Sequence, residues 1–309
     1  MTTGPPVIAG VDGSPHALDA VRWAGVEARS LDRALHVLHA SVWSMVSHPV
    51  PPAIPAGHRQ AMLDRAQRWV HEAANAARAV APGVEVIERL VVGEPAAVLI
   101  GESRHAQQVV VAARGLDGPV AELLGSMALQ VAQHAGCPVV VVRPCALGDP
   151  GAPGAPGDPD TACVPGNPER PVLVGVDGSA GSDGALEFAF EHAARWASPL
   201  VALHTWSDIR ICEQDGTIWR TLNWATVAAD EERLLAERLA GWQDKYPDVE
   251  VRLVITQDRP VPRLIEAAEG ARLLVIGPRG RGGVPGMLLG ATSQTLLYVA
   301  PCPIVIVRH

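Results

Sequence analysis

The sequence predicts an α/β fold of two tandem, doubly wound domains, each built on a parallel β-sheet. Three observations lead to this prediction. Landmark residues occur twice at one constant separation, short apolar runs alternate with stretches of helical period, and a segment rich in proline and glycine divides the chain near its middle. A chain duplicated in this way is expected to carry two copies of one crevice.

The composition limits the class of protein. The chain has 309 residues, of which 48% are hydrophobic, which is enough for two cores of ordinary size. Its net charge of −8 argues against binding of nucleic acid through a basic face. The N-terminus has no cationic flank ahead of an apolar run, and no apolar stretch reaches the roughly 18 residues of a membrane span. We therefore predict a soluble, cytoplasmic protein without integral membrane association.

The five cysteines form no Cys-x-x-Cys pair, and an odd number of thiols suits a reducing compartment. We interpret Cys137 and Cys302 as buried thiols, because free cysteine often behaves as a small apolar residue.

The internal repeat keeps one register along the chain. Asp12-Gly-Ser recurs as Asp177-Gly-Ser, a separation of 177 − 12 = 165 positions. The same offset relates Leu38-His39 to Leu203-His204, Pro95 to Pro260, Arg114-Gly115 to Arg279-Gly280, Gly125 to Gly290, Cys137-Pro138 to Cys302-Pro303, and Arg143 to Arg308. A register without gaps indicates two copies of one fold. The predicted boundaries are a first domain at 1–144, a Pro/Gly-rich linker at 145–170 and a second domain at 171–309.

Each element of the second copy follows from its local pattern. Val172–Val176 is a continuous apolar run, as expected of a strand covered on both faces, and a helical pattern follows through Ala185 and Ala193. The later elements are a strand at Leu200–His204, an amphipathic helix at Ala225–Gln243, a strand at Val249–Ile255, a helix at Pro262–Ala268, a strand at Arg272–Gly277, a helix at Thr292–Val299 and a strand at Ile304–Val307. This alternation predicts a five-stranded parallel sheet with right-handed crossovers and the order 3-2-1-4-5.

Two loops of each copy are expected to border one crevice. In a doubly wound sheet the ligand lies outside the carboxyl ends of the strands, where the strand order reverses. The first loop is Asp12-Gly-Ser or Asp177-Gly-Ser, after the first strand. The other loop follows the fourth strand and runs from Gly115 to Ser126 or from Gly277 to Ser293.

The fourth-strand loop of the second copy has a composition suited to phosphate. Its glycines let the backbone approach a ligand closely, and the helix that follows offers unpaired N–H groups and a positive dipole end. Its cationic and hydroxyl side chains are Arg279, Arg281, Thr292 and Ser293, and it contains no carboxylate. The glycine spacing alone is equally compatible with an ordinary glycine-rich turn capped by Thr292.

Three motifs of the second copy together resemble the universal stress protein family. They are the strand that ends in Val-Asp-Gly-Ser, the loop Gly-x-x-Gly with a further glycine after nine residues, and the closing Ala-Pro-Cys-Pro-Ile-Val-Ile-Val-Arg. The resemblance covers nearly all of both copies. It implies two Rossmann-like domains of the adenine nucleotide alpha hydrolase type and the binding of ATP, together with Mg²⁺.

The resemblance also implies which residues bind ATP. In the second copy they are Asp177, Gly178, Thr205, Gly277, Arg279, Gly280, Gly290, Thr292 and Ser293, and in the first copy Asp12, Gly13, Ala40, Gly115, Gly125 and Ser126. Asp177 would contact the nucleoside, Thr205 the adenine, and the glycines with Ser293 the phosphates. The implied role is that of a nucleotide-dependent regulator in stress response or dormancy.

Both copies depart from the family pattern. In the first copy Ala112 replaces the leading glycine, Leu116-Asp117 replace Arg281-Gly282, and Ala128 stands where the second copy has Ser293. A carboxylate beside a polyphosphate repels it at short range. The second copy has Ala291 where the family usually has serine. We therefore predict that the second site binds ATP more tightly than the first.

Several other functions were weighed against ATP binding. A P-loop enzyme needs Gly-x-x-x-x-Gly-Lys-[Ser/Thr], and Lys245, the only lysine, is remote from any glycine loop. A Rossmann dehydrogenase needs Gly-x-Gly-x-x-Gly directly after the first strand, where Asp-Gly-Ser stands. Slow ATP hydrolysis and a nucleotide-independent scaffold stay open. We expect no enzyme, because the second loop contains no base to orient water.

Two further interpretations concern histidines and pairing. His39 and His204 end their strands beside the expected adenine site, and we interpret them as satisfying a backbone group rather than as catalytic residues or metal ligands. The last strands, Val139–Arg143 and Ile304–Arg308, are apolar, and exposed apolar strands tend to pair. We predict an intramolecular pseudo-dimer through these strands, with a homodimer possible and the protein partner unknown.

Overall fold

The computed structural model describes residues 4–41, 56–115, 124–143, 169–206, 224–280 and 287–308. The chain divides into two compact units, Met1–Pro165 and Gly166–His309. Most of the predicted linker at 145–170 lies outside the described residues, as do Leu116-Asp117 and Arg281-Gly282.

The first unit alternates strands with helices. Its elements are β1 (Val7–Gly10), α1 (Pro15–Ser30), β2 (Leu35–Ser41), α2 (Ala56–Val80), β3 (Val86–Val92), α3 (Pro95–Glu102), a 3₁₀ turn (Ser103–His105), β4 (Gln108–Ala112), α4 (Ser126–His134) and β5 (Val139–Val142). The paired strands are parallel and follow the order β3-β2-β1-β4-β5. Helix α1 packs on α2 and α3 packs on α4, which is the arrangement of a doubly wound sheet.

The second unit repeats this architecture. Its elements are β6 (Val172–Val176), α5 (Ala180–Arg195), β7 (Leu200–Trp206), α6 (Trp224–Lys245), β8 (Val251–Gln257), α7 (Pro260–Ala268), β9 (Leu273–Ile276), α8 (Ala291–Val299) and β10 (Ile304–Ile306). Its strands are parallel and follow the order β8-β7-β6-β9-β10. The predicted fold class and the strand order 3-2-1-4-5 are therefore confirmed in both units.

Buried apolar strands and helix caps fix these elements locally. Every residue of β1, β4 and β5 is buried, because helices cover both faces of the sheet. Helix α1 starts at Pro15, whose missing N–H costs nothing at that position, and the Ser14 hydroxyl accepts a hydrogen bond from the Ala17 N–H at 3.1 Å. The connection after β1 therefore has a defined end, which places the Asp12-Gly-Ser segment at the carboxyl edge of the sheet.

One predicted strand starts later than its apolar pattern suggested. The sequence predicts that the third strand of the second copy begins at Val249, but β8 begins at Val251. The Val249 N–H donates to the Tyr246 carbonyl at 3.2 Å, so this residue belongs to the turn that follows α6. Its side chain is nevertheless buried, which explains why a buried turn residue resembles the start of a strand.

The two interpreted thiols lie in the core. Cys137 and Cys302 are both buried, which confirms the interpretation, and burial raises the pKa of the Cys137 thiol to about 12. Cys137 is therefore protonated at neutral pH and unreactive as a nucleophile. Among the residues described, no helix is both long and apolar enough to cross a membrane.

Candidate functional site

The candidate site of the second unit lies at the carboxyl ends of β6 and β9. Strand β6 pairs with β7 on one side and with β9 on the other, so the strand order reverses at β6. The Asp177 segment leaves the end of β6, and the glycine-rich loop leaves the end of β9 at Gly277. This is the crevice at which doubly wound folds bind ligands.

Asp177 is held by a local hydrogen-bond network. Its Oδ1 accepts hydrogen bonds from the Ser179 N–H (3.0 Å), the Ser179 hydroxyl (2.7 Å) and the Ser182 hydroxyl (2.6 Å). The Ser182 oxygen in turn accepts from the Asp177 N–H at 3.2 Å. Gly178, between these residues, has φ +74°, a left-handed conformation that favours glycine. The carboxylate is thus fixed in position with one oxygen engaged by three donors.

Close packing accounts for the first two glycines of the loop. A Cβ on Gly277 would stand 2.5 Å from the Gly181 carbonyl oxygen, and a Cβ on Gly181 would stand 2.9 Å from the Arg279 carbonyl oxygen. A Cβ on Gly280 would overlap Asp177 Oδ2. These contacts bring the start of α5, the Asp177 carboxylate and the loop into direct contact, so that the two segments form one wall.

Gly290, the last glycine of the loop, has no such packing reason. A Cβ on Gly290 would meet its nearest atom, Arg279 Cα, at 3.5 Å, an ordinary van der Waals distance. Its φ of −73° is available to any residue. The N–H of Gly290 donates to the Pro278 carbonyl at 2.8 Å, which fixes the residue as the N-cap of α8. Its missing side chain leaves the start of the helix open to close approach.

Helix α8 begins without a side-chain cap among the described residues. Thr292 lies inside the first turn, and the N-cap is Gly290, so the expectation that Thr292 caps this helix is wrong. The first N–H groups of any helix lack intrahelical partners and carry the positive end of its dipole. The Ser293 hydroxyl donates to the Gly277 carbonyl at 2.9 Å, so it ties the end of the loop to its beginning. An anion is the ligand that such a helix start favours.

Two guanidinium groups add positive charge to this loop. Arg308, two residues after the end of β10, donates from Nη2 to the Leu288 carbonyl at 3.1 Å. Burial lowers the pKa of Arg308, and the positive charge of the nearby Arg279 lowers it further. Sequence reasoning had selected Arg279 but not Arg308. The available signal was the repeat offset, which pairs Arg308 with Arg143 after the last strand of each copy.

His39 and His204 bind backbone carbonyls, and each lies two residues before the end of its strand rather than at the end as the sequence suggested. His39 Nδ1 lies 2.7 Å from the Val11 carbonyl oxygen, and His204 Nδ1 lies 2.7 Å from the Val176 carbonyl oxygen. A carbonyl only accepts, so Nδ1 carries the proton and donates in both units. This confirms that the histidines satisfy backbone groups. His204 is also the ladder partner of Val176, so Thr205, the next residue of β7, lies one position beyond this pair, as Asp177 does on the chain that leaves β6.

The first unit repeats the backbone frame with other side chains. Asp12 Oδ1 accepts from the Ser14 N–H at 2.9 Å, and a Cβ on Gly115 would overlap Asp12 Oδ2, as in the second unit. The N–H of Gly125 donates to the Ala113 carbonyl at 2.8 Å and caps α4, which begins at Ser126. The matching geometry brings these predicted residues together, and Ala40 lies at the same place on β2 that Thr205 has on β7.

A tryptophan distinguishes the first unit. Gly13 has φ +85°, and a Cβ there would overlap the Trp69 indole of α2. The same indole contacts His39 edge-on, with ring centroids 5.5 Å apart. Trp69 therefore supports the Asp12-Gly-Ser segment from the side of α2.

These observations define a tandem, doubly wound α/β protein in which a glycine-containing loop follows the fourth strand of each half. The model of the universal stress protein family matches residues 5–143 and 169–308. The chain belongs to the universal stress protein family, with two domains of that family in tandem.

Curated relatives share this organisation over their whole length. The universal stress protein Rv2623 of Mycobacterium tuberculosis is 35% identical, over 98% of this chain and 96% of its own. The universal stress protein Rv2005c of the same organism is 33% identical, over 98% and 97%. A universal stress protein from Archaeoglobus fulgidus, solved by crystallography, superposes with a TM-score of 0.68 at 20% identity, covering 99% of both chains. That last likeness supports the fold.

Proposed function

We propose that this chain binds ATP and acts as a nucleotide-dependent regulator in stress response or dormancy, with little or no turnover. The observation that carries the proposal is the start of α8. There, Gly290 is the N-cap of the helix although packing does not require a glycine at this position. The first turn of α8 has no side-chain cap among the described residues, and Arg279 lies in the same loop. The family's name supports the stress-response part of the proposal.

The proposed roles follow from the geometry of the loop. The N–H groups at the start of α8 bind the phosphates together with Arg279 and Arg308, while Gly290 gives the phosphates room. Asp177 contacts the nucleoside, and Thr205 contacts the adenine. Gly277, Gly280 and Ser293 keep the loop in shape through the contacts described above.

We propose that the second unit binds ATP more tightly than the first. Asp12, Gly13, Ala40, Gly115, Gly125 and Ser126 form the corresponding site of the first unit. That unit has Ala112 where the second has Gly277, and its sequence places a carboxylate, Asp117, in the loop. Repulsion between this carboxylate and a polyphosphate weakens binding.

We further propose that the protein is cytoplasmic and not an enzyme. The residues from Gly277 to Ser293 include no carboxylate and no histidine that could act as a general base toward water. Mg²⁺ would enter bound to the phosphates of ATP, which is its usual mode of binding in nucleotide sites. Steady hydrolysis faster than about one turnover per second, a low value for enzymes, would contradict this part of the proposal.

Two measurements test the binding of ATP. Mass spectrometry of ligand released from the purified, denatured protein should detect ATP. In addition, Gly290→Ala should lower the affinity for ATP by about tenfold or more, because a methyl group fills the space of the phosphates, while the free energy of unfolding changes by less than about 1 kcal/mol. Gly125→Ala is the matched control in the first unit and should lower total ATP binding less.

A scaffold that only retains the fold would give other results. It would release no nucleotide and would show the same lack of ATP binding before and after the Gly290→Ala substitution. The pairing of the two halves through their last strands stays a prediction, and isolated halves that are each stable monomers would contradict it.

A further inference from the structure

The indole of Trp69, on helix α2, packs on the segment that follows β1. A Cβ on Gly13 would overlap three atoms of this ring, Cδ2, Cε2 and Nε1, at nearly equal distances. Such a point lies over the plane of the indole, so the Gly13 backbone packs on one face of the ring. This contact and the left-handed φ of Gly13, +85°, both disfavour a side chain at position 13.

Two further side chains surround the indole. The His39 ring contacts it edge-on, with ring centroids 5.5 Å apart, and His39 is itself held by the hydrogen bond from its Nδ1 to the Val11 carbonyl at 2.7 Å. Arg65, one turn earlier on α2, places its guanidinium carbon 5.9 Å from the centroid of the indole. The indole therefore lies in the corner between the carboxyl ends of β1 and β2.

This corner is the part of the first crevice that the proposed function assigns to the nucleoside. Gly13 lies in the segment after β1, and Ala40, the residue expected to contact adenine, directly follows His39. The loop expected to bind phosphates leaves β4 and includes Gly115, and β4 pairs with β1 on the side opposite β2. The indole therefore occupies space on the base side of the crevice, away from the phosphate side.

The second unit has an aliphatic residue at the equivalent position. The repeat offset pairs Trp69 with Leu234 of α6, a separation of 234 − 69 = 165 positions. The next pair in this register, Val70 and Leu235, is buried in both units, which supports the equivalence of the two helices. The second unit therefore has no indole at this position of its long helix.

We propose that Trp69 is a specificity-determining residue: its indole fills the base-binding part of the first crevice and excludes the purine of ATP, whereas the second unit, with leucine at the equivalent position, accepts it. This inference rests on the proposed function. A purine cannot share this space, because non-bonded carbon atoms approach no closer than about 3.5 Å. The exclusion is independent of Asp117, since the indole acts on the base and the carboxylate repels the phosphates.

The test compares ATP with inorganic tripolyphosphate, which has the phosphates but no base. In a full-length chain whose second site is weakened by Gly290→Ala, adding Trp69→Leu should raise the affinity for ATP about tenfold or more. The affinity for tripolyphosphate should change by less than about twofold. Trp69→Phe, which keeps a smaller ring, should give a smaller gain for ATP. Isothermal titration calorimetry measures all three.

The reverse change in the second unit tests the same idea without altering Trp69. In the otherwise unchanged chain, Leu234→Trp should lower the affinity for ATP about tenfold or more and should leave the affinity for tripolyphosphate within about twofold. Denaturant titration of each variant shows whether it is folded. Equal losses of ATP and tripolyphosphate in Leu234→Trp would overturn the inference, even where Trp69→Leu does not fold.

The direction of the change in Trp69→Leu separates the remaining explanations. A lower affinity for ATP would make the indole a stacking platform for the base and would overturn the inference. An unchanged affinity for ATP, or equal gains for ATP and tripolyphosphate, would reduce Trp69 to a support of the segment after β1 and would overturn it as well. No binding of ATP by the parent chain would overturn the proposed function too, so the two failures are distinguishable.

Discussion

The described ends of the loops after β4 and β9 make the same backbone contacts, but the side chains that hold these ends differ between the two units. In both units a glycine lies against an aspartate carboxylate and a second glycine caps the following helix. In the second unit Ser293 ties the loop to Gly277, whereas the first unit has Ala128 at the position of Ser293. The shape that the two loop ends share therefore depends on the backbone and the aspartate, while the surrounding side chains determine which ligand the loop favours.

A carboxylate introduced into each loop tests the proposed difference in ATP affinity between the two units. Gly280→Asp places a charge against Asp177 and in the path of the phosphates, so we expect the second site to lose about a hundredfold or more in affinity for ATP, leaving only the weaker binding of the first site. Gly115→Asp should remove only a small part of total binding, because the first site is the weaker one. Equilibrium titration with ATP measures both. Equal losses would contradict the proposed difference between the units.

Adding a methyl group at the start of the second loop, and removing one at the start of the first, tests the difference in packing between the two units. Gly277→Ala brings a Cβ to 2.5 Å from the Gly181 carbonyl oxygen, so the second unit should lose about 1–3 kcal/mol in free energy of unfolding. The reverse change, Ala112→Gly, should cost about 0.5–1 kcal/mol through backbone entropy alone. Denaturant titration of the two variants gives both values. If Gly277→Ala is as mild as Ala112→Gly, helix α5 and the loop are not in contact as described.

The smallest expected effect concerns a polar cluster of the first unit, whose equivalent positions in the second unit hold apolar residues. Arg89 and Glu102 form a bidentate ion pair at 2.6 and 2.9 Å near His36, whereas the second unit has Val201, Val254 and Ala267 there. Burial lowers the pKa of His36, and the charge of Arg89 lowers it further, more than Glu102 and Glu85 offset. The hydrogen bond from Arg89 lowers the pKa of the Glu102 carboxyl.

The sign of the pH dependence follows from these shifts. The unfolded chain takes up a proton at His36 near its ordinary pKa of about 6.5, while the folded chain resists it, so stability falls as the pH drops below that value. His36→Val should flatten the dependence of stability on pH between pH 7.5 and 5.5, by less than about 1.4 kcal/mol per pH unit, the limit for one proton. Thermal melts across this range, with Val201→Ala as a control, measure it. An unchanged slope would contradict the assignment to His36.

The fold could be predicted from the sequence because its signals are local or repeated. The offset between Asp12 and Asp177 fixed the duplication, and continuous apolar runs such as Val172–Val176 marked strands covered on both faces. The predicted start of β8 was two residues too early, because Val249 is a buried apolar residue of the preceding turn and resembles a strand residue in the sequence.

The site could be predicted only where a motif carried it. The positions of Asp177, Gly280 and Gly290 followed from the resemblance, and the structure brings their segments together. The clamp of Ser182 on Asp177 could not be predicted, because it depends on how helix α5 leaves the end of β6. The close packing that requires Gly277 could not be predicted either, because its partner Gly181 is remote in the sequence and contacts it only in the folded chain.

Gly181 and Gly277 also constrain how the two halves evolve after duplication. Each faces a backbone carbonyl at a distance that excludes a side chain, whereas the first unit has His16 and Ala112 at these positions. In the second unit, a side chain at either position would overlap the facing carbonyl oxygen and push helix and loop apart. Selection is therefore expected to retain both glycines in the second unit.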